Sequence, residues 1–356
     1  MTDVFSHPWL GGHFSDPETE TMLSADAMLG NMLAVEVAYT RALGEVGVVD
    51  KLIADETVAH ITQVSANIED LRQGTAKDGL VVPALVRSLR ADLPERCHKA
   101  LHSGLTSQDV IDTATVMSLK PVCELFSKRL EALIKALGNL KKSHGRNGLM
   151  GRTRMQAALP ITVADRIDIW MRPLADHQYR LHQQQDRLLS LQFGGAVGTR
   201  NAVGPHAPEI AAQMARELGL NNPDTCWHTD RSRFADFANW LSLMTGSLGK
   251  MGQDIALMAQ QGVDEIRLNG GGGSSAMPHK QNPVQAELLI TLARFNATLV
   301  SGMHHALIHE QERSGAAWSL EWMILPQAIL TTGRALTVSD TLLEQIEAMG
   351  KDAGDI

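Results

Sequence analysis

The stretch "SRFADFANWLSLMTGSLGKMGQDIALMAQ", residues 232–260, has the clearest periodicity in the chain. Apolar side chains recur in it at alternating spacings of three and four, and this unbroken heptad pattern predicts one long helix packed in a bundle. The seam consists of Phe234, Phe237, Leu241, Met244, Leu248, Met251, Ile255 and Met258. Gly246, Gly249 and Gly252 flank this seam, where a two-stranded coiled coil would carry charges. Because small residues let helices approach closely, we place this helix in the middle of the bundle.

Four other segments have helical character. Residues 117–140 and 164–191 carry apolar stripes at helical spacing, and residues 286–312 and 24–47 predict two more helices. Pro173 should kink or interrupt the first turns of the helix in which it lies. Only 4% of the residues are aromatic, and no segment alternates convincingly with period two. The sequence therefore predicts an all-α chain.

The composition excludes several classes of protein. The chain has 356 residues, and no apolar run reaches the roughly 18 residues of a membrane span. Its first residues lack the basic and apolar regions of a signal peptide. A net charge of −8 without a long basic run argues against a nucleic-acid partner. The three cysteines lie far apart, which excludes a disulfide framework and leads us to expect a cytoplasmic protein.

A second segment cannot be a helix or a buried strand. The stretch "RLNGGGGSSAMPHKQNPV", residues 267–284, places four glycines before two serines, a lysine and two prolines. A glycine-rich linker is the usual interpretation of such a composition. A flexible hinge followed by stiffened, titratable residues is also typical of a lid that closes over an active site. The segment lacks the GxxxxGK[ST] pattern, so it is no phosphate-binding loop.

Three segments together resemble the signatures of the fumarase/aspartase superfamily. "GGGGSSAMPHKQNP" (270–283) resembles the signature GSSxMPxKxNP, "HSGLTSQDVIDTA" (102–114) the first motif region, and "GRTRMQAALPIT" (151–162) the second. They occur in the order found in the superfamily. The similarity extends from about Phe14 to Trp322, nearly the entire chain.

The resemblance implies a fold and an assembly. The fold would be an all-α long-helix bundle, with an N-terminal helical domain over 1–100 and a central bundle over 101–335. Residues 336–356 would be a short remnant of a largely missing C-terminal domain. The implied assembly is a homotetramer in which three subunits contribute to each active site, and no cofactor is implied.

The same resemblance assigns roles in the glycine-rich segment. Ser274 matches the serine that transfers a proton at the carbon next to a carboxylate. Lys280 and Asn282 match residues that hold this carboxylate and stabilise the aci-carboxylate intermediate. Ser275 is assigned to substrate binding. A free hydroxyl is a weak acid and base, so the loop would have to close, exclude water and surround the oxyanion with donors.

Further substrate-binding positions come from the other motif regions. Thr106, Ser107 and Gln108 would donate hydrogen bonds to a carboxylate at a helix start, although one of them could simply cap the helix. His102, Arg231 and Arg313 also match substrate-site residues of the superfamily. A histidine at such a position is often structural, and an arginine is usually in a salt bridge. The implied substrate is a small polycarboxylate.

One departure from the superfamily concerns the reaction. The second motif region usually reads Thr-His, with the histidine as proton donor to the leaving group, but here it reads Thr153-Arg154. Arginine cannot donate a proton at neutral pH, whereas it stabilises an anion with a bidentate contact. A carboxylate, with a pKa of about 4, leaves without a proton donor. Arg154 therefore favours a lactone-forming cycloisomerase over a lyase that expels an amine. By analogy with the superfamily's histidine, we also predict an ion pair between Arg154 and Glu287.

The implied reaction is the cycloisomerisation of 3-carboxy-cis,cis-muconate to 4-carboxymuconolactone. Alternatives are a cycloisomerase for another substituted muconate, such as 3-sulfomuconate, and a lyase of the adenylosuccinate or argininosuccinate type. A catalytically silent structural member is a further alternative. His305 and His309 lie four residues apart beside Glu310, a spacing that can bind metal on a helix, but no third ligand is evident and we predict no metal site.

Overall fold

The computed structural model describes residues 3–270, 272–273, 277 and 280–351. Most of these residues are helical. The α-helices are α1 (Gly11–Phe14), α2 (Pro17–Met22), α3 (Ala25–Glu45), α4 (Lys51–Ile61), α5 (Ile68–Asp78), α6 (Val82–Ala91), α7 (Ser107–His144), α8 (Val163–Leu188), α9 (Ala207–Leu218), α10 (Ser232–Met258), α11 (Val284–His305) and α12 (Ala316–Glu344). The strands are β1 (Gly148–Thr153), β2 (Gln156–Thr162), β3 (Ile266–Leu268), β4 (Gly272–Gly273), β5 (Gln281–Asn282) and β6 (Ile346–Met349).

Helix α10 lies in the middle of the bundle, as its heptad pattern predicts. All eight seam residues are buried, and the helix packs against α8, α11 and α12. Gly249 and Gly252 face α11. A Cβ on Gly249 would lie 2.5 Å from the Cβ of Ala293, so glycine is required for the close approach of the two helices. Gly246 is exposed and faces no neighbour among the described residues.

The long helices form one apolar core, and the N-terminal helices form a second. The first core joins α7, α8, α10, α11 and α12, and includes the apolar stripes of α7 and α8. The second joins α3, α4 and α6 to the start of α7 and to α9. In contrast to the expected interruption, Pro173 lies within an unbroken α8. A proline inside a helix can be tolerated where packing fixes the flanking turns, and Trp170 and Leu174 beside it are buried in the first core.

In the described residues, three two-stranded antiparallel ribbons accompany the helices. They were not predicted, because no segment of the sequence alternates convincingly with period two. In the hairpin of β1 and β2, Thr153 pairs with Gln156, so Arg154 and Met155 form a two-residue turn. Both have positive φ, at 49° and 66°. Such turns normally carry Asn-Gly or Gly-Gly, and the absence of these residues is the reason the hairpin leaves no signal in the sequence.

The predicted domain boundaries can be compared with the positions of the helices. The predicted boundary between residues 335 and 336 falls inside α12, which runs from Ala316 to Glu344. The predicted boundary at residue 100 lies in the non-helical segment before α7. None of the described helices combines the length and apolarity needed to cross a membrane.

Candidate active site

The first motif region lies at the start of α7. Thr106 is the N-cap, and its backbone N–H donates to Oδ2 of Asp109 at 3.0 Å. Thr106 and Ser107 are both half-buried, so their hydroxyl groups are at the edge of the protein interior. The hydroxyl group of Ser107 makes no hydrogen bond to any described residue. A long helix start with accessible hydroxyl groups suits a carboxylate ligand.

Asp109 anchors this helix start to two other segments. Its carboxylate accepts hydrogen bonds from the backbone N–H groups of Gly194 and Gly195 at 2.8 and 2.9 Å. Nε2 of His228 lies 2.8 Å from Oδ1 of the same carboxylate. Asp109 is fully buried, and these contacts hold the 193–198 loop and the segment before α10 against α7.

The glycines of the 193–198 loop permit this close packing. A Cβ on Gly194 would lie 2.7 Å from Cε1 of His228, and one on Gly195 would lie 2.9 Å from the carbonyl oxygen of Gly104. Gly195 also has a positive φ of 71°. The loop is therefore a packing element of the site.

Gln108 and Arg313, two of the predicted substrate ligands, contact each other. Nε of Arg313 donates to Oε1 of Gln108 at 3.0 Å, and Nε2 of Gln108 donates to the carbonyl oxygen of His228 at 2.9 Å. Gln108 is fully buried, so its amide is committed to protein partners instead of a ligand. Arg313 is partly exposed, and it also donates to the carbonyl oxygen of Ala196 at 3.1 Å. Gln108 thus positions Arg313, and only Arg313 is left near solvent.

The side chain of His102 contacts a buried carboxylate that the sequence did not indicate. Its Nδ1 lies 2.6 Å from Oε1 of Glu36, which is completely buried on α3. His102 itself has a positive φ of 59°, an uncommon conformation for a residue with a side chain. The carboxylate fixes the tautomer and leaves Nε2 available, because the hydrogen on Nδ1 is engaged.

Arg231 is a structural residue, which corrects the prediction that it binds substrate. Its guanidinium group donates to Asp112 at 2.5 and 3.0 Å and to Glu321 at 2.8 and 2.6 Å. It also lies over the rings of Trp227 and Phe234, and only 2% of the residue is exposed. Burial disfavours its charge, but the two carboxylates outweigh burial and raise the pKa of Arg231. Four of its five N–H groups therefore donate to protein carboxylates, and the side chain is buried away from solvent.

The remaining predicted residues that the structure describes lie at the other end of the bundle. Helix α7 has 38 residues, and at ~1.5 Å per residue its axis spans roughly 55 Å. Thr106 precedes its start, whereas Arg154 follows its end. Arg152 forms an ion pair with Glu265, just beyond the end of α10, and this pair holds the hairpin of β1 and β2 at that end. One chain therefore presents its first and second motif regions at opposite ends.

The described ends of the glycine-rich segment, residues 267–270 and 280–284, lie at this second end as well. Strand β4 pairs with β5, so that Gly272 is opposite Asn282, and α11 begins directly afterwards. Lys280 is exposed and Asn282 is half-buried. Ser274 and Ser275 lie outside the described residues.

Arg154 and Glu287 form no ion pair within the described part of the chain. Arg154 is exposed in the turn of the hairpin, and Glu287 is exposed in the first turn of α11. A carboxylate there stabilises the helix through its dipole. A pair between two subunits stays a prediction.

The spacing of His305 and His309 does not place them on one helix, because α11 ends at His305. His305 is exposed, whereas the side chain of His309 is buried, with Nε2 3.9 Å from Glu321. Over the described ranges, no group of His, Cys, Asp and Glu side chains could hold a metal ion.

Three comparisons relate the chain to known proteins. Residues 15–297 match the model of a family described as lyase. A 3-carboxy-cis,cis-muconate cycloisomerase from Pseudomonas aeruginosa is 35% identical over 98% of this chain and 77% of its own length. An N-acetyl-S-(2-succino)cysteine lyase from Dickeya dadantii is 31% identical over 89% of this chain and 70% of its own length. The crystal structure of the 3-carboxy-cis,cis-muconate lactonizing enzyme from Pseudomonas putida superposes with a TM-score of 0.88 at 32% identity, covering 96% of this chain and 77% of that chain.

The sequence similarity, the helical bundle and the order of the three motif regions agree with one another. The chain belongs to the lyase family of the fumarase/aspartase superfamily.

Proposed function

We propose that this protein is a cycloisomerase that converts 3-carboxy-cis,cis-muconate to 4-carboxymuconolactone. The observation that carries the proposal is Arg154, which is exposed in the turn of a hairpin where the motif region of the superfamily has a proton-donating histidine. The cycloisomerase relatives support the same activity.

The chemistry of the leaving group explains the preference. Expulsion of an amine requires a general acid, because an amine anion is too basic to leave. A guanidinium group cannot supply that proton at neutral pH. Lactone formation adds a carboxylate of the substrate to its own double bond, and the reverse reaction expels the carboxylate as a stable anion. A fixed positive charge is what this step needs.

The residues would divide the work as follows. A carboxylate oxygen of the substrate attacks one end of a carbon–carbon double bond, and the π electrons move towards the carboxylate at the other end. Lys280 and Asn282 would stabilise the resulting aci-carboxylate with a charge and a hydrogen bond. Ser274 would then deliver a proton to the neighbouring carbon. Arg313, Thr106 and Ser107 would hold the other carboxylates.

This division requires more than one copy of the chain. The start of α7 and the turn of the hairpin lie at opposite ends of a helix roughly 55 Å long, so one chain does not bring them to the same substrate. Met155 and Leu159 on the hairpin are 74% and 73% exposed, which is unusual for apolar side chains unless another surface covers them. We therefore infer a homotetramer whose sites combine motif regions from different subunits.

The activity can be tested by ultraviolet absorbance, because lactone formation removes the conjugated diene of the substrate. Purified protein would be mixed with 3-carboxy-cis,cis-muconate, 3-sulfomuconate and adenylosuccinate under identical conditions. Loss of the carboxymuconate signal with adenylosuccinate unchanged is the expected result. Cleavage of adenylosuccinate with both muconates inert would overturn the proposal, since another residue would then have to supply the proton.

A second candidate is a lyase that releases a thiol from a succinylated thioether, as the name of the Dickeya dadantii relative states for that protein. A thiolate, with a pKa near 8.5, leaves more readily than an amine and depends less on a general acid. Arg154 is compatible with this chemistry too. N-acetyl-S-(2-succino)cysteine belongs in the same assay, with free thiol as the product to be measured.

The sharing of sites can be tested with two inactive variants. Ser274→Ala and Arg154→Ala each remove one residue, and each alone should lose most turnover. If the two residues of one site come from different subunits, unfolding and refolding the variants together should restore roughly a quarter of the wild-type sites. No recovery from a mixture that reassembles would show that both residues act from the same subunit.

A further inference from the structure

A thiol, an imidazole and a carboxylate lie in a row beside the start of α7. Cys226 is half-buried, two residues before the buried His228. A Cβ on Gly198 would lie 2.8 Å from Sγ of Cys226 and 3.8 Å from Nδ1 of His228, so both atoms border the same glycine. The other ring nitrogen of His228 is bonded to Asp109 at 2.8 Å.

The imidazole has a free side only towards the thiol. His228 is 2% exposed, and its Nδ1 makes no hydrogen bond within the part of the chain that the structure describes. The thiol and the ring also border Gly194 together, since a Cβ on Gly194 would lie 2.7 Å from Cε1 of His228 and 3.0 Å from Sγ of Cys226. Asp109 in turn is held by the backbone N–H groups of Gly194 and Gly195. A nucleophile, a base and an orienting carboxylate in this order are the arrangement that activates a nucleophilic side chain.

We propose that Cys226 is a reactive thiol and a site of covalent modification by hydroperoxides. The reaction is the attack of the thiolate on one oxygen of hydrogen peroxide. A sulfur–oxygen bond forms and the oxygen–oxygen bond breaks, so the sulfur is oxidised by two electrons and the peroxide is reduced. The departing hydroxide takes the proton of His228 to become water, and Cys226 becomes a sulfenic acid.

The protonation of the pair agrees with this geometry. Burial opposes ionisation of the thiol, but the hydrogen bonds and charge of His228 outweigh burial and lower the pKa of Cys226. Burial also opposes protonation of the imidazole, but Asp109 and Cys226 outweigh it and raise the pKa of His228 to about 9. The other two cysteines differ. Burial raises the pKa of Cys97, and it raises that of Cys123 to about 12.

Two arginines lie on the segments around this pair. Arg200 donates to the carbonyl oxygen of Phe193 at 2.8 Å, and Arg313 donates to that of Ala196 at 3.1 Å. The segment of Cys226 itself carries the further charged residues Asp224, Asp230 and Arg231. Arg200 and Arg313 hold carbonyl groups of the 193–198 loop.

Oxidation of Cys226 would affect the contacts at the start of α7. A sulfenic acid is neutral and His228 has given up its proton, so the ionic contacts of the imidazole with both of its partners are lost. Asp109, which is one of these partners, also accepts the N–H of Thr106, the N-cap of α7. This consequence rests on the proposed function, because Thr106 and Ser107 matter to activity only if they hold substrate.

The test begins with wild-type protein and iodoacetamide, followed over pH 5–10 by mass spectrometry of the cysteine peptides. We expect Cys226 to react at pH 7 at least about tenfold faster than in the His228→Gln variant, and with a midpoint below the ordinary value of about 8.5. Cys97 and Cys123 should react only after unfolding, and they serve as controls within the same molecule. An ordinary midpoint for Cys226 in the folded wild-type protein would overturn the proposal without any variant.

Hydrogen peroxide and a dimedone-type probe then test the modification itself. We expect the probe on Cys226 alone, and its removal when dithiothreitol is added before the probe. No labelling of Cys226 at peroxide concentrations that label glutathione would also overturn the proposal. If the protein proves active on a muconate, peroxide should reduce that activity in wild type and leave Cys226→Ser unaffected. Because the labelling requires no substrate, failure of the proposed function does not affect it.

Discussion

Nε of Arg313 donates a hydrogen bond of 3.0 Å to Oε1 of Gln108, and this bond joins the segment after α11 to the first turn of α7. The two residues are 205 positions apart in the chain. Gln108 is buried, and its other amide atom donates to the carbonyl oxygen of His228 at 2.9 Å. The orientation of the Arg313 guanidinium group is thus fixed by a neutral side chain beneath it.

The first prediction concerns this orientation. Arg313→Lys keeps the charge but loses the planar fork that contacts Gln108 and the carbonyl oxygen of Ala196 at once. We expect KM for the muconate to rise roughly tenfold, while the free energy of unfolding changes little. Steady-state kinetics measure the first and urea unfolding the second. Arg41→Lys, at an exposed ion pair with Glu217, is the matched control, and equal effects of the two substitutions would contradict a substrate role for Arg313.

The second prediction concerns Arg231. Arg231→Met leaves Asp112 and Glu321 buried without their cation, and the removal of one partner from a buried ion pair costs about 3–5 kcal/mol. The free energy of unfolding should fall by about this amount in urea titrations. Arg187→Ala removes exposed contacts with Asp230 and Asp236, and it should cost less than about 1 kcal/mol. A loss of less than 1 kcal/mol for Arg231→Met would mean that the network relaxes or takes up protons.

The third prediction is a pH dependence caused by His228. Its folded pKa is raised above the unfolded value of about 6.5, so the stabilisation is complete below pH 6.5 and is lost as the pH rises through the folded pKa. With Cys226 in place that pKa is about 9. The pKa of the Cys226 thiol is lowered in the folded state, so its contribution to stability changes with pH in the opposite direction.

The Cys226→Ser variant separates the two groups. In this background the free energy of unfolding should fall by roughly 1–3 kcal/mol between pH 6.5 and 9, measured by urea unfolding at each pH. Adding His228→Gln should flatten the profile. A slope that survives the second substitution would assign the titration to other groups.

The fourth prediction concerns the hairpin of β1 and β2. Leu159 is 73% exposed on this hairpin, and in an assembled tetramer we expect another subunit to cover it. Leu159→Asp would bury a carboxylate at that contact, which is strongly unfavourable without a partner. Sedimentation should then show smaller species than wild type, with loss of activity.

Leu52→Asp is the control for this experiment. Leu52 is 78% exposed on α4, away from the hairpin, and this substitution should leave both the assembly and the activity unchanged. A Leu159→Asp protein with the mass of the wild-type assembly would show that the hairpin lies outside the subunit contacts.

Local patterns in the sequence predicted the helices and failed where distant segments meet. The eight-residue seam of α10 was readable because helix period and burial act on neighbouring residues. Gln108 and Arg231 were assigned to substrate, since nothing in their own segments indicates His228, Asp112 or Glu321 as partners. His228 lies in the stretch "WHTD" and Asp109 in "TSQD". Both residues can be read in the sequence, but only the fold shows that they contact each other.

By itself, the sequence determined the class of the fold, the family and the replacement of a proton donor by Arg154, because these follow from residue type, spacing and motif order. Only the tertiary structure decided which charges are free. In the folded chain Arg231 is buried between two carboxylates, whereas Arg313 stays near solvent. Arg154 and Thr106 lie at opposite ends of the bundle, because Thr106 precedes the start of α7 and Arg154 follows its end. The reason is physical: the free energy of a charge depends on its burial and on its partners, and both are set by contacts between residues far apart in the chain.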